Sequence, residues 1–333
     1  MKLVTYTHPS ESIPRVGVID TSQEHVIDLL AAAKRLQRPA DSFSDMLTLL
    51  DGGLSALDEA RRVAEYGEQE RPDGTTHTLS NVKLLSPVPR PRSIRDCMAF
   101  EGHLVHAMRT VVKWKFPPLS WADRGTEKIL GRGFLRPPRV WYERPIYYKG
   151  NPASVIGTET DVVWPSFTKK LDFELEFGVF IGRTGCDIPV SEAASYIAGF
   201  AIFNDFSARD LQLEEMKGRL GPAKSKDFDT GNAIGPWLVT PDEIENAYGL
   251  TMQARVNGEE WSRGCSDRMH FSFEEIISAI SECETLHPGD FIGSGTVPGG
   301  CGLELDRWIQ PGDLIELEVS GLGVLRNRVL RPD

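Results

Sequence analysis

Long apolar stretches are missing from this sequence of 333 residues. No run approaches the roughly 20 apolar residues that a membrane-spanning helix requires, so we expect no membrane partner. The first residues, MKLVTYTHPSES, also lack a basic segment followed by an apolar core, and we therefore expect no signal peptide and a cytoplasmic location. The length, with 40% hydrophobic and 26% charged residues, predicts a globular protein of about two domains.

Cysteine is scarce, and the chain has no net positive charge. The five cysteines are odd in number and widely spaced, and no two form a C-x-x-C pair. This pattern argues against a disulfide framework or a zinc site, so we expect reduced, mostly buried thiols that serve packing rather than chemistry. Acidic residues outnumber basic ones by 48 to 37, for a formal charge of −11. Such a surface repels phosphate backbones, and we expect no nucleic-acid partner.

A sustained alternation of strands and helices is absent as well, which argues against a parallel doubly wound sheet. Three prolines occur within residues 86–92, and proline fixes the backbone and removes donors, so this segment predicts a stiff connector. We therefore divide the chain into a small α+β N-terminal domain, residues 1–90, and a larger domain, residues 91–333. The N-terminal elements that apolar periodicity predicts are strands at 2–6 and 15–19 and helices at 22–36, 42–50 and 54–68.

The larger domain is predicted to be rich in strands. Residues 95–150 have an irregular pattern with two Pro-Pro pairs, which suggests a cover over a site, and residues 115–145 are interpreted as a lid that substrate would order. A helix is expected at 273–281, with Ser272 as its N-cap. The whole pattern predicts an α+β, mixed-β fold with peripheral helices. The predicted strands lie at 171–181, 198–203, 235–240, 251–256 and 314–319.

Two glutamates occur in an otherwise apolar segment, LDFELEFGVFI at 171–181. Side chains two residues apart project from the same face of a strand, so Glu174 and Glu176 would lie side by side. Adjacent carboxylates in apolar surroundings repel each other, and one would take up a proton unless a cation neutralised the pair. Alternatively, the two glutamates form the solvent-facing half of an amphipathic strand, and this segment alone does not decide between the two interpretations.

A third carboxylate follows at the end of another apolar strand. The segment GFAIFNDFSARDLQ at 199–212 reaches Asp205 and then enters a helix, for which Ser207 is the expected N-cap. Three hard oxygen ligands without histidine or cysteine suit Mg²⁺, Mn²⁺ or Ca²⁺ better than zinc. We therefore predict a divalent-metal site held by Glu174, Glu176 and Asp205, with Mg²⁺ as the first choice.

Taken together, the motifs of this chain resemble those of the fumarylacetoacetate hydrolase family. The motifs are E-x-E at 174–176, N-D-x-S-A-R-D-x-Q at 204–212, K-x-F-x-T at 226–230 and G-T-x-x-G at 295–299. The resemblance spans about residues 95–329 and implies a fumarylacetoacetase-type β-roll with peripheral helices for residues 91–333. The first 90 residues are similar to the N-terminal domain of longer members only in length and position. The resemblance further implies a homodimer.

The resemblance also implies roles for individual residues. The family's metal ligands match four carboxylates, and its catalytic and substrate-binding side chains match seven further residues. The metal ligands are Asp96, Glu174, Glu176 and Asp205; the catalytic residues are His103, Glu304 and Lys226; the substrate-binding residues are Tyr148, Arg209, Gln212 and Thr296.

Two positions depart from the founding hydrolase of the family. A tyrosine that contacts substrate there is Met98 here, and an arginine nine residues beyond the histidine is Val112, with Arg109 three positions away. The residues around the reacting atoms are matched, whereas the pocket for the far end of the substrate differs. We therefore expect a β-diketo acid, acylpyruvate-like or fumarylacetoacetate-like, whose distal group the sequence does not define.

For function, the resemblance implies a metal-dependent hydrolase that cleaves a carbon–carbon bond in this small substrate, as in the catabolism of aromatic compounds. His103, oriented by Glu304, would activate water. No G-x-S-x-G motif occurs, which argues against a serine hydrolase. A keto-acid decarboxylase, tautomerase or isomerase needs the same stabilised enolate and stays an alternative, as does a binding protein without turnover.

Each proposed catalytic residue also has a simpler interpretation. His106 is a rival for the catalytic histidine. Glu304 could pair with Arg307 on the surface, and Lys226 could form an ordinary salt bridge. These alternatives remain open at the level of the sequence.

Overall fold

The computed structural model describes residues 1–9 and 13–332. The helices in this part of the chain are α1 (Leu29–Arg35), α2 (Met46–Asp51), α3 (Gly53–Glu70), α4 (Glu101–Lys115), α5 (Pro117–Leu130), α6 (Arg139–Glu143), α7 (Val190–Ala193), α8 (Arg209–Glu215), α9 (Phe273–Ser281) and α10 (Gly302–Leu305). None of the helices described is long and apolar enough to cross a membrane.

The strands, in chain order, are β1 (Lys2–Thr7), β2 (Arg15–Ile19), β3 (His25–Asp28), β4 (Thr76–Thr78), β5 (Lys83–Leu84), β6 (Ile94–Cys97), β7 (Tyr147–Gly150), β8 (Val155–Ile156), β9 (Val162–Val163), β10 (Leu171–Asp172), β11 (Leu175–Ile181), β12 (Ile197–Asp205), β13 (Ser207–Ala208), β14 (Asn232–Val239), β15 (Thr251–Val256), β16 (Glu259–Cys265), β17 (Phe291–Gly293), β18 (Leu314–Val319) and β19 (Gly323–Leu330).

Most of these strands belong to one large mixed sheet. Its order is β4-β3-β2-β1-β14-β12-β11-β17-β6-β7, with β5 paired to β1 and β8 paired to β14. A second sheet has the order β16-β15-β18-β19-β9, and β10 and β13 form a separate short pair. The helices lie around these sheets, so the predicted mixed fold with peripheral helices is confirmed.

The central strands of the large sheet are buried on both faces. One face of β11 and β12 packs with the second sheet and α9, through residues such as Phe177, Ile202 and Met252. The opposite face packs on α1, α2 and α3 through Phe180 and Phe203. Strands covered on both sides are apolar on both sides, as in parallel sheets. A carboxylate on either strand is consequently removed from water.

The N-terminal strands extend this same large sheet. β1 pairs with β14, with Lys2 opposite Val239 and Leu3 opposite Leu238, so the sheet continues across the expected domain boundary. Residues 86–92 contain no helix or strand, in agreement with the connector that their prolines indicate. The division at residue 90 stays a prediction, and the two parts share one hydrophobic cluster.

Two predicted stretches have a different local structure. Residues 95–150 were expected to be irregular, but α4, α5 and α6 occupy much of this range. Pro117 and Pro118 lie in the first turn of α5, where proline is tolerated because those N–H groups have no acceptor within the helix. A single helix was expected over residues 22–36, but this range contains strand β3 followed by helix α1. Helix α1 begins only after Asp28, because the Asp28 side chain caps it by accepting a hydrogen bond from the N–H of Ala31.

Of the two predicted helix caps, one is found. The Ser272 hydroxyl accepts from the N–H of Glu275 at 3.2 Å, and the Glu275 carboxylate accepts from the Ser272 N–H at 2.8 Å. This reciprocal capping box opens α9. The expectation that Ser207 caps a helix is wrong, because Ser207 lies in β13 and α8 begins at Arg209 without a side-chain cap.

The five cysteines are free, but fewer are buried than the sequence suggests. Cys97 and Cys301 are buried, Cys265 is half-buried, and Cys186 and Cys283 are exposed. The expectation of mostly buried thiols is therefore wrong. Both buried thiols lie near predicted active-site residues in the sequence. Cys97 directly follows Asp96, and Cys301 lies three residues before Glu304.

Candidate metal centre and active site

Neighbouring strands of the large sheet bring acidic residues to one of its ends. β11 begins where the antiparallel β12 ends, so Glu176 lies opposite Phe203, two residues before Asp205. Beyond β17, strand β6 contributes Asp96, which lies opposite Tyr148 of β7. The sheet order alone therefore gathers carboxylates that are far apart in the sequence.

Three of the four predicted metal ligands form a compact cluster. One oxygen from each lies within 4.8 Å of the others, and none of the residues is more than 5% exposed; they are Asp96, Glu176 and Asp205. The fourth, Glu174, is also buried and pairs with Arg209 at 2.7 Å and with Lys226. The alternative of a solvent-facing strand is wrong, because neither Glu174 nor Glu176 faces water.

Negative charge exceeds positive charge in this interior. The cluster, Glu174 and Asp172 contribute five buried carboxylates, against two buried cations at positions 209 and 226, a formal excess of three negative charges when all are ionised. Burial, with the charge of Asp205, raises the pKa of Asp96 to about 8. Burial also raises the pKa of Glu176, and it raises that of Asp205 to about 6 although Lys226 opposes this shift. The cluster thus lacks a counter-charge.

Two oxygens of the cluster have no hydrogen-bond donor among the described residues. These atoms, Oε2 of Glu176 and Oδ1 of Asp205, are both buried, and an unsatisfied buried acceptor costs about 1–3 kcal/mol, or more when charged. Hard divalent cations are bound by carboxylate oxygens of this kind. The residues present therefore fit a divalent cation, which would satisfy both oxygens and offset the excess charge.

Lys226 connects two members of the acidic group. Its Nζ contacts Glu174 and lies 2.5 Å from Oδ2 of Asp205 and 3.1 Å from that residue's carbonyl oxygen. Burial alone would raise the pKa of Glu174, but the charges of Arg209 and Lys226 lower it. The simpler interpretation of Lys226, an ordinary salt bridge, describes its contacts in this structure.

A histidine and a glutamate form a hydrogen-bonded pair beside these carboxylates. Nδ1 of His103, on α4, lies 2.7 Å from Oε1 of Glu304, on α10. The Glu304 side chain is 1% exposed, and its Oε2 accepts from the N–H of Gly299 at 2.8 Å. Burial would raise the pKa of Glu304, but His103 and the other donors lower it. The alternative pairing with Arg307 is wrong, because Arg307 pairs with Glu259.

His106, the rival histidine, contacts the same glutamate. Its Nδ1 lies 3.1 Å from Oε2 of Glu304, so the two carboxylate oxygens face two different imidazoles. The His103 side chain is 13% exposed and that of His106 is 46% exposed. His103 is also among the groups that lower the pKa of Glu174, which indicates that the more buried histidine lies near the acidic group.

Asp172 is a buried residue that the sequence interpretation missed. Its carboxylate accepts from the N–H groups of residues 302 and 303, the first two of α10, at 2.7 and 2.9 Å. It also accepts from Nε of Arg209 at 2.8 Å, and Arg209 in turn binds Glu174. Asp172 thus connects a predicted metal ligand to the helix that carries Glu304. Its position two residues before Glu174, in the same alternation, is the signal that would have identified it.

The residues predicted to bind substrate lie at the same end of the sheet. The hydroxyl groups of Tyr148 and Thr296 donate to two cluster carboxylates, at 2.6 and 3.0 Å. Nη1 of Arg209 donates to Oε1 of Gln212 at 2.9 Å. The structure therefore brings all four residues to the acidic group, and their roles toward a substrate stay predictions.

Of the two departures from the family motif, Met98 lies three residues before α4 and Val112 lies in its last turn. Arg109 does not replace the arginine missing at Val112, because its guanidinium is buried and pairs with Asp123 at 2.6 Å and with Glu127 at 3.0 Å. The backbone carbonyl of Met98 accepts from a tryptophan of α6. The contacts of these residues therefore differ from those that the motif implies.

Comparison with known proteins identifies the chain's relatives. The mitochondrial oxaloacetate tautomerase FAHD2A of Homo sapiens is 35% identical over 99% of this chain and 92% of its own length. The oxaloacetate tautomerase YisK of Bacillus subtilis (strain 168) is 29% identical over 94% of this chain and 95% of its own length. These relatives extend over both the N-terminal residues and the acidic site.

Structure and family comparisons agree on the fold. The fumarylacetoacetate hydrolase of the psychrophilic Exiguobacterium antarcticum has a TM-score of 0.72 at 24% identity, with 100% of both chains covered. A family model described as Fumarylacetoacetate (FAA) hydrolase C-terminal matches residues 127–330, beginning later than the motif resemblance at residue 95. The chain therefore belongs to the fumarylacetoacetate hydrolase family.

Proposed function

We propose that this protein is a metal-dependent hydrolase that cleaves a carbon–carbon bond in a small β-diketo acid, such as an acylpyruvate. The observation that carries the proposal is the pair of His103 and Glu304 beside a group of buried carboxylates. A general base needs a free nitrogen and a partner that fixes its tautomer, and this pair supplies both.

His103 acts as the base in this proposal. Because its Nδ1–H donates to Glu304, its Nε2 carries the lone pair that accepts a proton from water. The resulting hydroxide attacks the distal carbonyl carbon, and Glu304 stabilises the imidazolium. When the carbon–carbon bond breaks, the imidazolium returns its proton to the carbon atom that is released.

The buried carboxylates would hold the cofactor of this reaction. A divalent cation bound to Asp96, Glu174, Glu176 and Asp205 would supply Lewis-acid stabilisation of negative charge on the substrate's oxo and carboxylate oxygens. We propose Mg²⁺, since Mg²⁺ is held by few carboxylates and keeps positions for water or substrate. Mn²⁺ and Ca²⁺ share its preference for oxygen.

Lys226 would donate to the oxyanion that forms on attack, an effect of about 3 kcal/mol. All three of its N–H groups have acceptors on Glu174 and Asp205. The role therefore requires that one of these bonds be exchanged. A cation that competes for the same oxygens would free one N–H of Lys226 for the substrate.

Tautomerisation of a dicarboxylic 2-oxo acid is the second candidate. Both the human and the B. subtilis relatives, each similar over more than nine-tenths of this chain, are named oxaloacetate tautomerases. This reaction moves one proton between carbon and oxygen, and His103 could carry that proton without activating water. The two candidates share the base and the carboxylates and differ in whether water attacks.

The two reactions are distinguished by their products. The protein with Mg²⁺ is incubated with an acylpyruvate and, separately, with oxaloacetate; hydrolysis yields pyruvate and a second acid, whereas tautomerisation changes only the enol absorbance. We expect cleavage of the acylpyruvate, reduced about 100-fold or more in His103→Ala and unchanged in His287→Ala, which alters an exposed histidine. Conversion of oxaloacetate without acylpyruvate cleavage would replace the hydrolase by the tautomerase.

The expected homodimer belongs to the same proposal. It follows from the family resemblance. Sedimentation of the full chain, with and without Mg²⁺, measures the oligomeric state, and a monomer at micromolar concentration would contradict the dimer.

A further inference from the structure

Three side chains of different chemistry meet where α4 contacts α10. They offer an imidazole nitrogen, a thiol and a carboxylate oxygen, all within 4.8 Å of one another, from His103, Cys301 and Glu304. The Cys301 thiol donates to Oε1 of Glu304 at 3.6 Å, and Nδ1 of His103 lies 2.7 Å from the same oxygen. Cys301 is fully buried, yet this thiol points at the predicted catalytic pair rather than into an apolar core.

We infer that this cluster is a second metal site, for a thiophilic divalent ion of the zinc class, and that its occupancy inhibits the enzyme. Sulfur and imidazole ligands select such ions, whereas Mg²⁺ takes oxygen. Around tetrahedral zinc, neighbouring ligand atoms lie about 3.4 Å apart. The 3.6 Å from Cys301 to Glu304 already fits this spacing, and the bond from His103 would lengthen by about 0.7 Å.

The two sites of the chain differ in their donors. The cluster of Asp96, Glu176 and Asp205 offers only oxygen ligands. An ion that prefers sulfur and nitrogen therefore favours the site formed by His103, Cys301 and Glu304. Three protein ligands leave a fourth position for water. The side chain of His106 is 46% exposed and contacts Oε2 of Glu304 at 3.1 Å, so one of the three ligands has a half-exposed neighbour.

Inhibition follows from the tautomer of the histidine. An ion on Nδ1 replaces the hydrogen bond to Glu304, and the imidazole then carries its proton on Nε2. Since Nε2 is the atom that accepts a proton in the proposed reaction, the bound histidine no longer acts as a base. The Cys301 thiol releases one proton to solvent when it becomes a ligand, so one proton leaves per ion bound.

Cobalt reports on this site without any turnover. Co²⁺ is titrated into the full chain in the presence of saturating Mg²⁺, and a thiolate-to-cobalt absorption band is followed in the near ultraviolet. We expect a band that saturates at about one ion per chain, that zinc abolishes, and that is lost in Cys301→Ser. Cys97→Ser is the matched control, because Cys97 is the other buried thiol of the chain and should keep the band.

The activity assay tests the consequence. Zinc should inhibit the wild type at saturating Mg²⁺. The zinc concentration that gives half-inhibition should be at least about tenfold higher in Cys301→Ser than in the wild type. In Cys97→Ser this concentration should be unchanged. A band that persists in Cys301→Ser, or inhibition that extra Mg²⁺ reverses, would overturn the inference. If Cys301→Ser does not fold, the wild type and Cys97→Ser test the inference on their own. A cobalt band that is absent from the wild type, or that is lost in Cys97→Ser, would overturn the inference. Because the band needs no substrate, failure of the proposed reaction would leave this result intact.

Discussion

Substitution of Asp172 by asparagine tests whether the acidic group and the His–Glu pair depend on each other. The Asp172 carboxylate accepts two backbone N–H groups of α10 and the Nε–H of Arg209, at 2.7 to 2.9 Å. Asparagine keeps the shape but offers one acceptor oxygen, and its NH₂ group faces a donor. At least one of the three bonds is lost, and the charge that balances Arg209 disappears.

The size of the effect follows from burial. A hydrogen bond to a charged group contributes about 1.5–3 kcal/mol, and breaking a buried ion pair costs about 3–5 kcal/mol in the free energy of unfolding. The helix that Asp172 holds, α10, has only four residues, so few other backbone contacts fix Glu304. A shift of about 1 Å in a catalytic group costs about 100-fold in rate. We expect kcat to fall about 100-fold, with a smaller change in KM.

A second buried aspartate supplies the matched control. Asp28 is also fully buried, caps α1 by accepting from the N–H of Ala31 at 2.7 Å, and pairs with Arg15 at 2.8 Å. Asp28→Asn should lower the free energy of unfolding, measured with urea, by a similar amount but leave kcat unchanged. If Asp172→Asn is destabilised to the same degree and keeps the wild-type kcat and pH profile, Asp172 has only a structural role.

Three further measurements probe the same site. Mg²⁺ should raise the melting temperature of the wild type, and Glu174→Gln should reduce this increase; equal increases would exclude Glu174 as a ligand. Glu304→Gln should lower activity by about 100-fold or more, because an amide can hold the wrong tautomer of His103, and activity near that of the wild type would refute the pairing. In EDTA no metal neutralises the cluster, and the pKa values of Asp96 and Asp205 are raised to about 8 and about 6. Between their unfolded and folded pKa values, the folded protein binds more protons than the unfolded chain. The free energy of unfolding should therefore fall as the pH rises from about 4 to about 8. Mg²⁺ should weaken that dependence, and a melting temperature that is constant over this range without metal would contradict it.

Alternation along one strand was enough to predict part of the acidic group. Glu174 and Glu176 stood out because carboxylates two residues apart share a face of an apolar strand. Asp96 belongs to the same acidic group but comes from strand β6, about 80 residues earlier in the chain. Only the order of strands in the sheet brings it near the two glutamates. Its prediction depended on the family motif, since no local pattern carries that information.

The predictions that failed were local patterns overridden by their context. Pro117 and Pro118 looked like breaks, but at the first turn of a helix they cost little. The contact of His106 with Glu304 spans 198 positions, so spacing along the chain could not distinguish a rival for His103 from a second partner of the same carboxylate. Tertiary contacts of this kind decide roles that residue type alone leaves open.

The reaction and the choice of substrate depend on different parts of the fold. Asp172 and Arg209 join the acidic group to α10 through buried bonds, so a change at any of these positions would disturb the carboxylates and Glu304 together. In contrast, Val112 and Arg109 lie on α4, and Arg109 is held by Asp123 of α5 rather than by the acidic group. Substitutions of α5, and of α4 residues other than His103 and His106, can therefore change the contacts around Val112 while the buried network persists. We expect such substitutions to change which substrate is taken, and with it whether water attacks, since the carboxylates would serve both reactions.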